Sequence, residues 1–187
     1  MSALPAKHFF NIEEWQRLGK VGFFPPEYRL ELVEGEIIDM SPIGESHSGC
    51  VDWLNHFFSG QLFGQMIVRV QNPLKLGDFS APQPDITILR YQPHFYRNSA
   101  PTAEDVLLLI EVADTSVPYD RNTKGLLYAR FGIPEYWLVN LVTNCVEVYR
   151  NPQSDGYADQ RVLKPGNILS TVKLAGIEVK VSDILGL

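Results

Sequence analysis

One acid interrupts an otherwise apolar run at residues 106–112, where six hydrophobic residues surround Glu111. An apolar run of this length without alternation predicts a strand that is buried on both faces of a sheet. An ionised carboxylate there is costly unless it is paired with a cation, bound to a metal or neutralised. The position of Glu111 therefore predicts a layered fold around a buried strand, and a partner for this acid.

The composition narrows the class of protein. The 187 residues, 45% apolar and 20% charged, are typical of a single globular domain. No apolar run approaches the roughly 20 residues of a membrane helix, and the N-terminus lacks signal-peptide character, so we expect a cytoplasmic protein. The isolated Cys50 and Cys145 indicate buried free thiols. A net charge of -6 argues against a broad basic surface for nucleic acid, although a local basic groove can coexist with it.

The order of patterns predicts an α+β fold with a mixed central sheet flanked by helices, in a single domain of residues 1–187. Its parts are an N-terminal helix and β-hairpin (9–40), a core (46–150) and a C-terminal β extension (160–187). Asn11 caps the first helix, and the hairpin turns at Glu34-Gly35. Two further helices are predicted, one at 46–63 and one that Asp120 caps and that ends at Gly132. The predicted strands lie at 67–76, 86–90, 106–112, 136–141 and 145–149, followed by a polar loop at 151–160 and β segments near 162, 172–174 and 177–181.

Asp85 is the first predicted partner of Glu111. It precedes the strand 86–90, and an antiparallel register with Arg90 opposite Val106 also sets Asp85 opposite Glu111. Opposed residues have Cβ atoms roughly 4.5–5.5 Å apart, so the two carboxylates would repel strongly without a cation between them. The pair predicts a site for Mg²⁺ or Mn²⁺, which prefer oxygen ligands.

Lys124 is the second predicted partner. It shares a helical face with Leu127, Tyr128 and Phe131, and such a face packs on the sheet. The inward amine could then hold a water nucleophile or offset charge on a phosphoryl transition state. The alternative for Lys124 is an ammonium that reaches solvent. The alternative for all three residues is a buried ion-pair cluster that specifies the fold.

An ordered series of motifs carries a family resemblance. Its members are YRLELVEGE from Tyr28, His47, PDI from Pro84, IEVADTS from Ile110, Tyr119-Asp120, Lys124, Tyr128-Ala129 and GIPEYW from Gly132. Between about residues 9 and 149, the chain resembles the Uma-type family within the PD-(D/E)xK restriction-endonuclease-like superfamily. The resemblance implies a restriction-endonuclease-like core and an Mg²⁺- or Mn²⁺-dependent endonuclease that hydrolyses phosphodiester bonds, with DNA as the expected partner.

The resemblance also implies roles for individual residues. Asp85 and Glu111 would bind the metal, with the backbone carbonyl of Val112 as a further ligand. The superfamily places its catalytic lysine two residues after the acid, where this chain has Ala113. Family members supply the amine from the next helix instead, and this position maps onto Lys124.

Two further residues match family positions. His47 would bind a phosphate or orient a water, and its alternative role is helix capping or surface packing. Glu31 matches the acid of the hairpin motif and would act as a ligand or as a supporting carboxylate. The alternative for Glu31 is a solvent-facing strand residue.

Two classes of function stay open at this point. The first is the metal-dependent endonuclease, for which a homodimer is expected because two sites cut both strands of a duplex most easily. The second is a non-catalytic binding or assembly module that retains the nuclease fold. The acidic balance and the lack of a Lys/Arg-rich tract favour this second class.

Overall fold

The N-terminal part of the chain follows local sequence signals. The computed structural model describes residues 6–187. Helix α1 (Ile12–Lys20) begins after Asn11, whose side chain forms a capping box with Glu14. Strands β1 (Leu30–Val33) and β2 (Glu36–Asp39) pair around the predicted Glu34-Gly35 turn, where both residues have the positive φ of a tight hairpin.

A six-stranded mixed sheet forms the centre of the molecule, as predicted. Its strands lie in chain order: β3 (Met66–Val70), β4 (Ile86–Arg90), β5 (Val106–Ala113), β6 (Glu135–Asn140), β7 (Cys145–Gln153) and β8 (Gly156–Leu163). Only β5 and β6 pair in parallel. Every residue of β5 is buried, because apolar clusters cover both faces of the sheet.

The two faces of the sheet carry different helices. One face packs on α2 (Glu45–Leu62) and contains Ile110 and Val112. The other face lies under a helical segment at 117–130 and contains Leu109 and Ala113. Because side chains alternate along a strand, Glu111 points to the same face as Leu109 and Ala113. The acid is therefore directed at the helical segment that carries Lys124.

This helical segment differs from its prediction at the N-terminal end. It consists of α3 (Val117–Tyr119), a π-helical turn (Asp120–Lys124) and α4 (Gly125–Arg130). Asp120 therefore lies inside the segment, buried at 4% exposure, and does not cap it. Pro118 lies in the first turn, where proline is compatible with a helix start. The predicted end is confirmed, with Gly132 at a φ of +73° just beyond α4.

The predicted register between β4 and β5 is confirmed at the end that carries Asp85 and Glu111 and is wrong at the opposite end. Ile86 pairs with Ile110, which continues toward Asp85 and Glu111 as expected. At the other end Val106 lies opposite Leu89 rather than Arg90, because the register shifts after Ile88. A β-bulge that adds one residue to β5 accounts for the shift without disturbing the end that carries the acids.

The C-terminal third differs most from expectation. The predicted loop at 151–160 is a hairpin, because β7 extends to Gln153 and β8 begins at Gly156. An exposed edge hairpin needs few apolar residues, which explains the missed signal. Strands β9 (Ile168–Ser170) and β10 (Glu178–Lys180) pair, and α5 (Val181–Leu185) follows. Residues 172–174 are not a strand.

Three smaller expectations can be compared with the structure. β3 ends at Val70 instead of residue 76, and the next residue, Gln71, has a φ of +49°. Cys50 and Cys145 are buried free thiols, as predicted. Within residues 6–187, the helices are all too short or too polar to cross a membrane. The division of residues 1–187 into the three parts above stays a prediction.

Candidate active site

Asp85, Glu111 and Lys124 meet at one cleft, which we call the central cleft. It has a volume of about 280 Å³ and is lined by all three residues. Lys124 Nζ donates to Glu111 Oε1 at 3.1 Å, and the Asp85 amide donates to Glu111 Oε2 at 3.2 Å. The three side chains are almost fully buried. The solvent-reaching alternative for Lys124 is therefore wrong.

Asp85 accepts hydrogen bonds on both carboxylate oxygens. Oδ2 accepts from the Val112 amide at 2.9 Å and lies 3.0 Å from His47 Nε2, while Oδ1 accepts from the Gln71 side chain at 3.0 Å. Burial raises the pKa of Asp85, but the bonds from His47, Gln71 and Val112 outweigh it, so the pKa lies below its usual value. Asp85 is therefore ionised at neutral pH.

For Glu111, the effect of burial on the pKa outweighs that of its hydrogen-bond donors. Its Oε1 accepts from Tyr128 Oη at 2.6 Å as well as from Lys124. Burial raises the pKa of Glu111 to about 8; the charge of Lys124 opposes this rise, and those of Asp120, Asp85 and Glu31 add to it. Burial thus moves the pKa of Glu111 upward, whereas that of Asp85 moves downward.

Lys124 serves three carboxylates at once. Its Nζ lies 3.1 Å from Glu31 Oε1 and 3.7 Å from Asp120 Oδ1, in addition to its bond with Glu111. Burial lowers the pKa of Lys124, but the carboxylates of Glu111, Glu31 and Asp120 raise it more, so the ammonium keeps its proton. Lys124 is therefore the charged cation of the cluster, because three carboxylates surround its amine. The three acids compete for this one positive charge, which is why the pKa of Glu111 is raised.

Glu31 joins this cluster from β1. It is fully buried, so the solvent-facing alternative is wrong. Its Oε2 accepts from the Gln83 amide at 3.1 Å. Its Oε1 is close to Lys124 but has no partner with hydrogen-bonding geometry among residues 6–187. The cluster of Glu31, Asp85, Glu111 and Asp120 therefore carries more acids than nearby cations can satisfy.

His47 lies in the first turn of α2 and supports Asp85. Its side chain is 16% exposed, and it contacts Asp85 instead of capping the helix. Burial lowers the pKa of His47, but the hydrogen bond and charge of Asp85 raise it above its usual value. Within the described part of the chain, the buried Nδ1 atom has no hydrogen-bond partner.

Some residues of the site were not recognised from the sequence. Asp120 was interpreted as a helix cap, Tyr128 as packing, and Gln71 had no role. Asp120, Lys124 and Tyr128 follow each other at intervals of four, which places them on one helical face and could have revealed the cluster. The predicted face was wrong at Phe131, which is 38% exposed. Gln71 has no comparable signal.

The donor set can be compared with the needs of a divalent cation. Carboxylate oxygens of Asp85 and Glu111, with the carbonyl of Val112, are hard ligands of the type that Mg²⁺ and Mn²⁺ prefer. The surplus of acids also favours a cation of charge +2. Across residues 6–187, however, no three His, Cys, Asp or Glu side chains form a metal-binding group. The site therefore fits such a cation in chemistry and charge, with two acidic ligands.

Three features define a restriction-endonuclease-like protein. They are the mixed sheet, the acids just before β4 and within β5, and a lysine from the following helical segment. The chain belongs to the Uma2 family, described as "Putative restriction endonuclease", which matches residues 12–182. The family and the fold class expected from the sequence are thereby confirmed.

One solved structure shows the same fold. A putative nuclease belonging to DUF820 from Anabaena variabilis ATCC 29413 superimposes with a TM-score of 0.69 at 18% identity, over 95% of this chain and 98% of that chain. The type IIG restriction endonuclease BpuSI aligns with 79% of this chain and 16% of its own, at 17% identity and a TM-score of 0.43. No curated protein matches the sequence.

Proposed function

We propose that this protein is a metal-dependent endonuclease that hydrolyses phosphodiester bonds of DNA. The observation that carries the proposal is the convergence of Asp85, Glu111 and Lys124 on the central cleft. A buried pair of acids from neighbouring strands with a charged amine is suited to phosphoryl chemistry. The family description supports DNA as the substrate class.

Each residue has a role in this proposal. Asp85, Glu111 and the Val112 carbonyl would hold Mg²⁺ or Mn²⁺, which when bound supplies a Lewis acid and lowers the pKa of a bound water. Lys124 orients Glu111 and adds positive charge beside the phosphoryl group. His47, held by Asp85, binds a phosphate oxygen or orients the attacking water.

The remaining members of the cluster act through Lys124 and Glu111. Glu31 and Asp120 keep the ammonium of Lys124 charged and restrict its position. Tyr128 fixes Glu111 Oε1 through its hydroxyl. We treat these three as positioning residues, because their side chains contact Lys124 and Glu111 and support the lysine and the acid.

Cleavage of supercoiled plasmid tests the proposal. Wild type should cut in Mg²⁺ or Mn²⁺ and stop in EDTA, and Asp85→Asn, Glu111→Gln and Lys124→Met should each lose about 10²-fold or more of the activity. Asp159→Asn, a surface acid on β8, serves as the matched control. Equal activity in all five proteins would end the nuclease proposal. RNA of the same sequence, assayed in parallel, decides the substrate.

A non-catalytic module is the second candidate, and one observation favours it. Both oxygens of Asp85 and both oxygens of Glu111 already accept hydrogen bonds from the protein. A fully satisfied pair is also what a purely structural cluster would contain. Binding of duplex DNA by wild type, without cleavage in either metal, would select this candidate.

We also propose that the enzyme acts as a homodimer, since two sites can cut both strands of a duplex. Sedimentation at assay concentrations should give twice the mass of one chain. A monomer that cuts both strands in one encounter would contradict this. The cytoplasmic location stays a prediction from the sequence.

A further inference from the structure

The central cleft has two chemically different parts. Strands β4 and β5 and the 117–130 segment contribute most of its acids. The base of the β1–β2 hairpin and the start of α2 contribute Arg29, Ser41 and His47, with Asp39 nearby. Arg29 is fixed at the hairpin by its carbonyl, which accepts from the Met40 amide at 2.8 Å. The cleft therefore offers a place for an anion next to the place for a cation.

The guanidinium of Arg29 has no acidic partner among residues 6–187, although this cleft is rich in acids. Its one side-chain hydrogen bond is a contact of 3.5 Å from Nη1 to the Ser41 carbonyl. Two other arginines differ, because Arg121 and Arg150 each donate two N–H groups to a glutamate. Arg29 therefore keeps most of its five donors free for a planar or tetrahedral oxyanion.

His47 lines the same cleft as this guanidinium. Its Nε2 lies 3.0 Å from Asp85 Oδ2. The Nδ1 atom of His47 is also buried without a partner in the described residues. Because His47 Nε2 is engaged by Asp85 and Nδ1 is buried, the free guanidinium of Arg29 is the group on that side that is suited to phosphate oxygens.

We propose that Arg29, beside His47, forms a phosphate subsite of the central cleft that holds a backbone phosphate of the substrate strand. The identification of the phosphate as part of a nucleic acid rests on the proposed function. The anion recognition itself rests on the free guanidinium and its place in the cleft. Arg29 is then a substrate-binding residue, which sets the strand against the acids and Lys124.

Binding of an oligonucleotide duplex in EDTA tests the subsite without cleavage. Arg29→Ala should weaken binding about tenfold or more and make the dependence of log K on log salt shallower by about one unit. Arg29→Lys keeps the charge but loses the paired donors, so it should fall between wild type and Arg29→Ala. The control is Arg161→Ala, since Arg161 already has a carboxylate partner in Asp159.

Equal affinity and equal salt dependence in wild type and Arg29→Ala would overturn the subsite. Under metal turnover conditions, the same substitution should raise KM with a smaller change in kcat, because it removes a binding contact. A fall in kcat alone would also overturn it.

A second probe separates this proposal from the nuclease proposal. The nuclease proposal fails if wild type neither binds nor cuts nucleic acid. In that case, the binding of inorganic pyrophosphate to wild type and to the same variants is measured by calorimetry. Pyrophosphate binding that is lost in Arg29→Ala and kept in Arg161→Ala would support the anion subsite alone. No pyrophosphate binding by wild type would overturn it.

Discussion

Two buried glutamates, Glu111 in β5 and Glu147 in β7, meet cations from the same π-helical turn, but their donors and neighbouring charges differ. Glu147 accepts two bonds from Arg121, at 2.8 and 2.5 Å, and further bonds from Asn140 and Tyr149. Burial raises its pKa, but these donors outweigh it and lower the pKa to about 2. Glu111 shares its cation with two other acids, and its pKa rises to about 8.

The number of donors per acid distinguishes a structural ion pair from a candidate site. Both carboxylates are buried and both have a partner in the π-helical turn (Asp120–Lys124). The Glu147 cluster contains enough donors for its one acid, so it stabilises the fold without needing another ligand. The Glu111 cluster contains more acids than cations, so another cation would relieve its repulsion. We therefore expect opposite responses to the same substitutions.

The largest effect should come from Lys124→Met. This change leaves Glu31, Glu111 and Asp120 buried without their shared ammonium, which should lower the free energy of unfolding by about 3–5 kcal/mol. Urea denaturation at pH 7 measures it. Lys173→Met, on the exposed C-terminal segment, is the control and should change little. A loss below about 1 kcal/mol would mean that the acids are already protonated.

The second effect is that of Arg121→Ala on the other cluster. It removes two bonds to Glu147, and because Arg121 is partly exposed and screened, we expect a loss of only about 1–2 kcal/mol. The change should also loosen the π-helical turn and lower nuclease activity by about tenfold. A double variant that exchanges the charges, Arg121→Glu with Glu147→Arg, tests the link between this ion pair and activity. If it regains both the stability and the activity lost in Arg121→Ala, the pair has a positioning role. Unchanged activity in Arg121→Ala would contradict that role.

The third prediction concerns pH. The folded-state pKa of Glu111, about 8, exceeds its unfolded value near 4.5, so its contribution to stability is complete below pH 4.5 and is lost as pH rises toward 8. The folded-state pKa of Glu147, about 2, lies below its unfolded value, so its contribution is present above pH 4.5 and is lost as pH falls toward 2. Each slope is at most about 1.4 kcal/mol per pH unit.

Chemical denaturation at a series of pH values separates the two glutamates. Glu111→Gln should flatten the decline between pH 4.5 and 8 and leave the acidic decline unchanged. Glu147→Gln should do the reverse. If both variants follow the wild-type profile throughout, the contrast between the clusters does not exist.

The smallest effect is that of Glu111→Gln on stability at pH 7. Because a neutral amide replaces an acid in a crowded cluster, the free energy of unfolding should change by less than about 1 kcal/mol. Glu147→Gln under the same conditions should cost more, since it leaves Arg121 without a charged partner. Equal losses of stability in the two variants would contradict the difference between the Glu111 and Glu147 clusters.

Much of the fold and part of the site could be predicted from local patterns. The apolar run of β5, the Asn11 cap and the Glu34-Gly35 turn all formed as expected, because each depends on neighbours within a few residues. The pairing of Asp85 with Glu111 and the inward direction of Lys124 followed from strand alternation and helical spacing. The hairpin of β7 and β8 was missed, since an exposed edge carries no apolar signal.

The burial of Glu111 in a strand, with Asp85 and Lys124 as its expected partners, could be predicted from the sequence, since strand burial and helix periodicity are local properties. The number of acids that share the amine depended on the folded chain. Glu31 reaches Lys124 from a hairpin more than 90 residues earlier in the chain, and Asp120 turns inward through a π-helical turn. Both contacts depend on long-range packing, which no local pattern encodes, and together they set the charge of the site.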